Sequence, residues 1–378
     1  MSLAIVDARE WQRMFDLRSG EPDEREGPLI GKVKGVLGRH PFPGDLDDRS
    51  NRWVTEVALD LIRAYDPRFV HLTYADAYYR GRYTPMTGAE RAAMLAVLAA
   101  EVDRFIAASG FAAVLVGSGD LTELRGRIDL SGLDGLAVAT HWSARYAGLH
   151  GPSPRDLERL RAEPRLERLA SRGELVALFA GTPGQAARVP DYLLVAREGY
   201  AFKTVGQPHR ALARIPAASA RRIPVSSNLG RAEDITDIRG LVEASLALRK
   251  TALIQIEGVG LAEFPWPHHP AANGRDWFYY EPGDGQALTI VAGAHRVFDY
   301  PTGYKYHDEV MERTEFPLSG YFTSVPGGTL GSAFEGRSLA VGNRSMLTHM
   351  VPGADISVEC FARNLANQGC LAVIHRER

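Results

Sequence analysis

Three acidic residues stand where an apolar run gives way to a turn. Asp76 comes just after FVHLTY, Asp120 just after AAVLVG, and Glu257 closes ALIQIE ahead of Gly258 and Gly260. Carboxylates in such places suit two kinds of chemistry: holding a divalent cation, or trading protons as acid and base once burial has separated their pKa values. Glycines beside Glu257 let backbone approach a ligand closely, and open α/β sheets place their sites at such strand ends. The plainer alternative for each is a polar strand terminus bonded to its own loop. Arg80 and Arg82 carry guanidinium forks that bind phosphate, sulfate or carboxylate in pairs of hydrogen bonds, unless they are merely exposed. His209, beside Arg210, is a loop imidazole. His268-His269 and His307-Asp308-Glu309, with His295 and Asp299 between them, hold enough imidazole and carboxylate for a metal site. Their spacing is not diagnostic, because adjacent residues on a strand face opposite ways.

Other chemistries find little support. GGTLGS lacks the Lys-Ser/Thr that completes a P-loop, and VGSGDL lacks the third glycine of a dinucleotide fingerprint. No Gly-x-Ser-x-Gly elbow occurs, and Cys360 and Cys370 have neither a zinc nor a redox spacing, so they are expected to be buried free thiols.

The elements that must position these residues alternate between Val/Ile/Leu-rich runs and amphipathic helical patterns. That grammar predicts an α/β fold with a mostly parallel sheet and helices on both faces. Helices are expected over 51–64, 87–109, 154–162, 166–171, 237–250 and 355–367. Strands are expected over 69–74, 112–117, 135–140, 192–196, 252–257, 288–292 and 371–374. The 87–109 helix has the strongest signals: Thr87 with Glu90 three residues on, then Gly110 as its stop. Residues 264–320 are rich in aromatics and lack a helical period, so they read as an irregular or antiparallel excursion lining the site. With no internal repeat or low-complexity linker, residues 1–378 read as a single α/β domain.

The run ALDLIRAYDPRFVHLTYADAYYRGRYTP, the helix ending EVDRFIAASGF and the strand VLVGSGDLTEL resemble the middle of the alkaline phosphatase superfamily, in its type I phosphodiesterase and nucleotide pyrophosphatase branch. DYLLVAREGYAF resembles that branch's late strand, and VGQPHR stands where a Gly-His-Gly ligand is expected. The family's opening segments have their likeness near the C-terminus: ALIQIEGVG for the first strand, FTSVPGGTLGSAFEG for the nucleophile segment and SVECFARNLANQGCLAVI for the next helix and strand. The resemblance therefore implies a circularly permuted order, which termini close together at the surface would tolerate. It also implies a two-metal site, commonly zinc, and a Ser or Thr nucleophile. Carried over position by position, the ligands become Glu257, Asp76, a place near Arg80, Gly119-Asp120 and His209, and the nucleophile falls near Ser324 or Val325. That set is degenerate, so it implies a single divalent metal or none.

The resemblance accordingly implies an enzyme of hydrolase type acting on a small anionic substrate, a phospho-, phosphono- or sulfo-ester, or one repurposed for another reaction in the same crevice. Asp76, Asp120, Glu257 and Ser324 are its candidate catalytic residues, and Arg80, His209 and His307 its candidate substrate contacts. Asp76, Asp120, His209 and Glu257 are the candidate metal ligands. The alternatives are a non-catalytic binding protein that keeps the fold, and a metal enzyme centred on the His-rich excursion. At 378 residues with 44 Lys+Arg against 46 Asp+Glu, the chain has a formal charge of −2, which removes the electrostatic argument for nucleic acid or a membrane surface as partner. The start MSLAIVDAREWQRMF has no secretory pattern and no run reaches the length of a membrane span, so a cytoplasmic location is expected.

Overall fold

The computed structural model describes residues 35, 38–44, 46–138, 145–179, 190–203, 212–282, 286, 289–290 and 293–295, with the backbone of several short strands outside those ranges. Nine of the described strands form one mixed sheet: β1 (Ala4–Ile5), β2 (Phe69–Tyr74), β3 (Ala112–Gly117), β4 (Arg222–Ser226), β5 (Thr251–Ile256), β6 (His269–Ala272), β7 (Arg337–Val341), β8 (Ile356–Glu359) and β9 (Cys370–His375). Their order is β1-β7-β9-β8-β2-β5-β3-β4-β6. The centre, β8-β2-β5-β3, is parallel throughout, and antiparallel strands flank it on both sides. Such a centre must be covered on both faces, which is why β2 and β5 are buried along their whole length.

Period-2 alternation sorts each strand between two cores. Val70, Leu72, Tyr74, Ala252, Ile254 and Ile256 meet the apolar stripes of α1 (Ser50–Tyr65) and α3 (Gly88–Ser109). The opposite set, Phe69, Val114, Val116 and Leu253, meets Ile238 and Val242 of the helix Ile238–Leu248. The helix stops follow local chemistry. Asp66 ends α1 in the left-handed region at φ 48°, immediately before Pro67. Thr87 and Glu90 form the expected capping box of α3, and Gly110 ends that helix at φ 67°. Between α1 and α3, α2 (Asp76–Tyr83) leaves the end of β2.

A second sheet lies outside this plan. Leu166–Ser171, Tyr192–Ala196, Tyr146–His150 and Leu136–Val138 pair antiparallel in that order, around Leu149, Leu160, Leu166 and Leu194. The expected helix over 166–171 is therefore a strand. Six residues give too short a window for a period, and pairing with Tyr192–Ala196 decides the matter. Ile356–Glu359 is likewise a strand, not the start of a helix, since it is held between β2 and β9. In 288–292, Thr289 and Ile290 are helical, not extended. Glu257 falls just past its strand, in the turn after Ile256. The excursion opens with β6, which extends the main sheet antiparallel to β4, followed by a hairpin of Gly274–Arg275 and Phe278–Tyr279. No helix among the described residues is long and apolar enough to cross a membrane.

Candidate functional site

Ile256 stands opposite both Tyr74 and Gly117, so the turns after β2, β5 and β3 emerge side by side at one edge of the sheet. Backbone bonds interlock them. Glu257 N–H donates to Tyr74 O at 2.9 Å, Ser118 N–H to Ile256 O at 3.0 Å, and Gly258 N–H to Ser118 Oγ at 2.8 Å. Gly258 has φ 78°, and a Cβ there would lie 2.6 Å from Tyr78 Cα. A Cβ on Gly260 would lie 2.1 Å from Asp120 Cγ. Only glycine lets the turn after β5 pass between α2 and the Asp120 carboxylate. Arg91 of α3 holds the same turn from the side, donating to Gly258 O at 2.7 Å and pairing with Glu263.

Asp76 is the first residue of α2 and its side chain is 3% exposed. Arg80 Nη1 donates to its Oδ2 at 3.2 Å, while Oδ1 has no hydrogen-bond partner among the described residues. Burial pushes the carboxyl up to about 6; the Arg80 guanidinium opposes that shift, and the Asp48 and Asp47 charges add to it. The start of α2 therefore brings a carboxyl of raised pKa to the sheet edge. The other face of α2 carries Tyr78 and Arg82, also an i,i+4 pair, in which Arg82 Nη1 donates to Tyr78 Oη. The Arg82 guanidinium lies 5.4 Å from the Tyr78 ring centre and 5.8 Å from that of Tyr83. Burial holds the Tyr78 phenol well above its usual range, so it stays protonated, with the Glu257 and Glu281 charges adding to the effect.

The remaining predicted residues divide. Glu257 is buried in the turn described above, within the charge field of Tyr78. Asp120 reaches the same edge, but its Oδ2 accepts from Ser219 Oγ at 2.9 Å. His268 Nδ1 sits 2.8 Å from Trp266 O with its ring against Phe264, and His269 lies in β6 opposite Val225. His295 Nε2 sits 3.2 Å from Asp234 Oδ2; burial lowers the imidazole pKa, with Asp234 opposing. His209, Ser324, Val325, His307, Asp299, Asp308, Glu309 and Cys360 lie outside the described residues. No group of three His, Cys, Asp or Glu side chains that could hold a metal ion exists among the described residues. Asp76, Asp120 and Glu257 thus share an edge without forming a metal-holding group among the described residues, and the fourth candidate ligand, His209, lies outside them.

Several residues at this edge have no motif to announce them. Gln286 Nε2 donates to Asn273 Oδ1 at 3.0 Å and to Ser118 O at 3.3 Å. Asn273 Nδ2 in turn donates to Ala220 O and Tyr280 O. This buried network ties the excursion to the turn after β3, and no motif in the sequence announced it. On the α1 side, Ser50 Oγ and Asn51 Oδ1 are buried without a hydrogen-bond partner among the described residues. In the sequence they read as ordinary helix-start residues. No protein-family model matches the chain, and no curated protein matches it.

Proposed function

We propose that the chain is an enzyme that performs proton-transfer chemistry on a small anionic ester, phospho-, phosphono- or sulfo-, at the edge where β2, β3 and β5 end. The observation that carries this reading is Asp76: a buried carboxyl raised to about 6, with a guanidinium on one oxygen and the other oxygen unpartnered among the described residues. A pKa near the working pH is what a general acid or base requires. In hydrolysis, ionised Asp76 takes a proton from the attacking water as the new oxygen bond forms at phosphorus or sulfur. The ester bond then breaks, and protonated Asp76 returns the proton to the leaving oxygen. Arg80, 28% exposed, supplies positive charge beside the anion. Because the described residues do not fit a metal centre, no step is routed through one.

Two features support an alkaline-phosphatase-like core in permuted order. The parallel centre carries its acidic turns at one edge, as the resemblance requires. Moreover β1 lies beside β7 and two places from β9, so strands from both ends of the sequence share one flank of the sheet. The second reading is a binding protein that keeps the fold without the chemistry, and it is favoured by Asp120, whose carboxylate is taken up by Ser219.

The test is hydrolysis of aryl phosphate, phosphonate and sulfate esters by the wild type and by Asp76→Asn, with metal content measured in both. An enzyme of this kind turns over at least one ester class and loses about 100-fold or more in kcat/KM in the variant. Binding of the esters without turnover would establish the second reading instead.

A further inference from the structure

One charged side chain sits where the helical pattern of α3 calls for an apolar one. Met94, Leu98, Val102 and Phe105 form the buried face of α3, and Arg91 precedes them on that face with its side chain 7% exposed. Every nitrogen of its guanidinium is engaged. Nε donates to Glu263 Oε1 at 2.6 Å, Nη2 to Glu263 Oε2 and to Gly258 O, the latter at 2.7 Å, and Nη1 reaches Ala77 O at 3.5 Å. Packing alone does not ask for this arrangement, because replacing a buried ion pair by an apolar side chain of similar volume is often neutral or stabilising.

The two carbonyls that Arg91 reaches belong to the residues that follow Asp76 and Glu257. The guanidinium therefore spans from the first turn of α2 to the turn after β5, the two segments that carry those acids. Glycines on both sides let it come this close. A Cβ on Gly81, one helical turn beyond Ala77, would lie 3.1 Å from Arg91 Nη1 and 3.0 Å from Cδ1 of Leu121, the chain neighbour of Asp120. A Cβ on Gly258 would strike the backbone of Ala77 and Tyr78. Glu263 supplies the third support: its carboxylate grips the fork in two places, and its N–H donates to Gly260 O at 3.2 Å within the same turn.

Resting on the function proposed above, we infer that Arg91 is a positioning residue of that reaction: gripped by Glu263, its guanidinium clamps the start of α2 to the turn after β5 and so fixes where the Asp76 carboxyl stands. It acts through backbone carbonyls, which move with the segments they belong to. Reacting groups tolerate little misplacement, and an error on the order of 1 Å costs about 100-fold in rate. Only a planar fork holds a carboxylate and two carbonyls at once. An ammonium in its place, a point charge on a flexible stem, keeps some of the grip and loses the geometry. The clamp also keeps water from the Asp76 carboxyl, which is 3% exposed; loosening it hydrates that group and lets its pKa fall from about 6 toward 3.8.

The experiment is carbon-13 NMR titration of the Asp76 carboxyl, together with kcat and KM on the aryl esters named above, in the full-length wild type, Arg91→Met, Arg91→Lys, Glu263→Gln and Leu98→Ala. Leu98→Ala opens a cavity two turns further along the same face of α3, and so reports what destabilisation of that helix does by itself. Thermal unfolding checks that each variant is folded at the temperature of measurement. The clamp predicts that Arg91→Met lowers the Asp76 midpoint by about one unit or more and kcat by about 100-fold, with KM within about threefold of wild type. Arg91→Lys should recover part of both losses, and Leu98→Ala should leave the midpoint in place. If Arg91→Met does not fold, Glu263→Gln decides: Gly258 O keeps its donor, the fork loses its charged grip, and the midpoint should fall by about half a unit. A midpoint or a kcat unchanged in the deciding variant, or a shift equal to that of Leu98→Ala, would overturn the clamp and leave the wider functional reading standing. A wild type without ester turnover whose midpoint still falls in the variants would keep the clamp on Asp76 and overturn the functional reading alone. A wild-type midpoint at or below about 4 would overturn both.

Discussion

At the scale of single residues, Asp76 carries the account, and its protonation couples stability to pH. The folded state raises its pKa from 3.8 to about 6 and therefore binds the proton more tightly than the unfolded chain does. This contribution to stability is fully present below about pH 4 and is lost as the pH rises through 6, for a total of up to about 3 kcal/mol. Asp76→Asn cannot ionise, so it should match the wild type near pH 4 and exceed its stability by about 3 kcal/mol near pH 8, as read by urea unfolding. A variant less stable than wild type near pH 8 would mean that the ionised carboxylate is favoured in the folded state, the reverse of the present reading. The sequence showed Asp76 as a candidate because an acid after an apolar run is visible in one dimension. The Tyr78–Arg82 pair was hidden as a pair, because no helix was expected over 76–83 and Arg82 read either as an anion binder or as an exposed arginine. Its burial follows from three-dimensional packing, with Gly258 pressed against Tyr78 and the start of Arg214–Pro216 close by, where Ala213 N–H donates to Arg82 O.

At the scale of elements, the site depends on turns that tolerate no side chain. Gly258→Ala must place a Cβ 2.6 Å from Tyr78 Cα at φ 78°, so it should destabilise by about 3 kcal/mol, a cost that combines left-handed strain with overpacking. Gly240→Ala is the matched control. Gly240 lies within the helix Ile238–Leu248 with nothing near its Cβ position, and the substitution should stabilise by about 0.5–1 kcal/mol. Equal effects of the two in urea unfolding would contradict the packing of the turn after β5 against α2. Elements whose signals are local were readable from the sequence. The capping box and Gly110 framed α3, and continuous apolar runs marked β2, β3 and β5. Leu166–Ser171 was not readable, because its extended form is set by Tyr192–Ala196, more than twenty residues away. Ile356–Glu359 was misread for the same reason, since strands distant in sequence hold it on both sides.

At the scale of the whole molecule, β2, β5 and β3 are the scaffold whose ends carry Asp76, Glu257 and Asp120, and they are sealed between two apolar cores. Their amides should exchange with solvent only through global unfolding, and so be the slowest in the described chain by hydrogen-exchange mass spectrometry. Exchange there as fast as in the Pro154–Arg161 helix would mean that the sheet edge is not a rigid platform. The α/β class and the parallel centre were legible because alternation of strand and helix is a property of the whole sequence. The second, antiparallel sheet was not, since short strands with half-exposed faces leave only weak patterns. The most direct measurement is a carbon-13 NMR titration of aspartate carboxyl groups in the full chain, with Asp76→Asn used to assign the Asp76 signal. The account predicts a midpoint near 6 for that carboxyl; a midpoint at or below about 4 would contradict it and remove Asp76 as the proton carrier of this site.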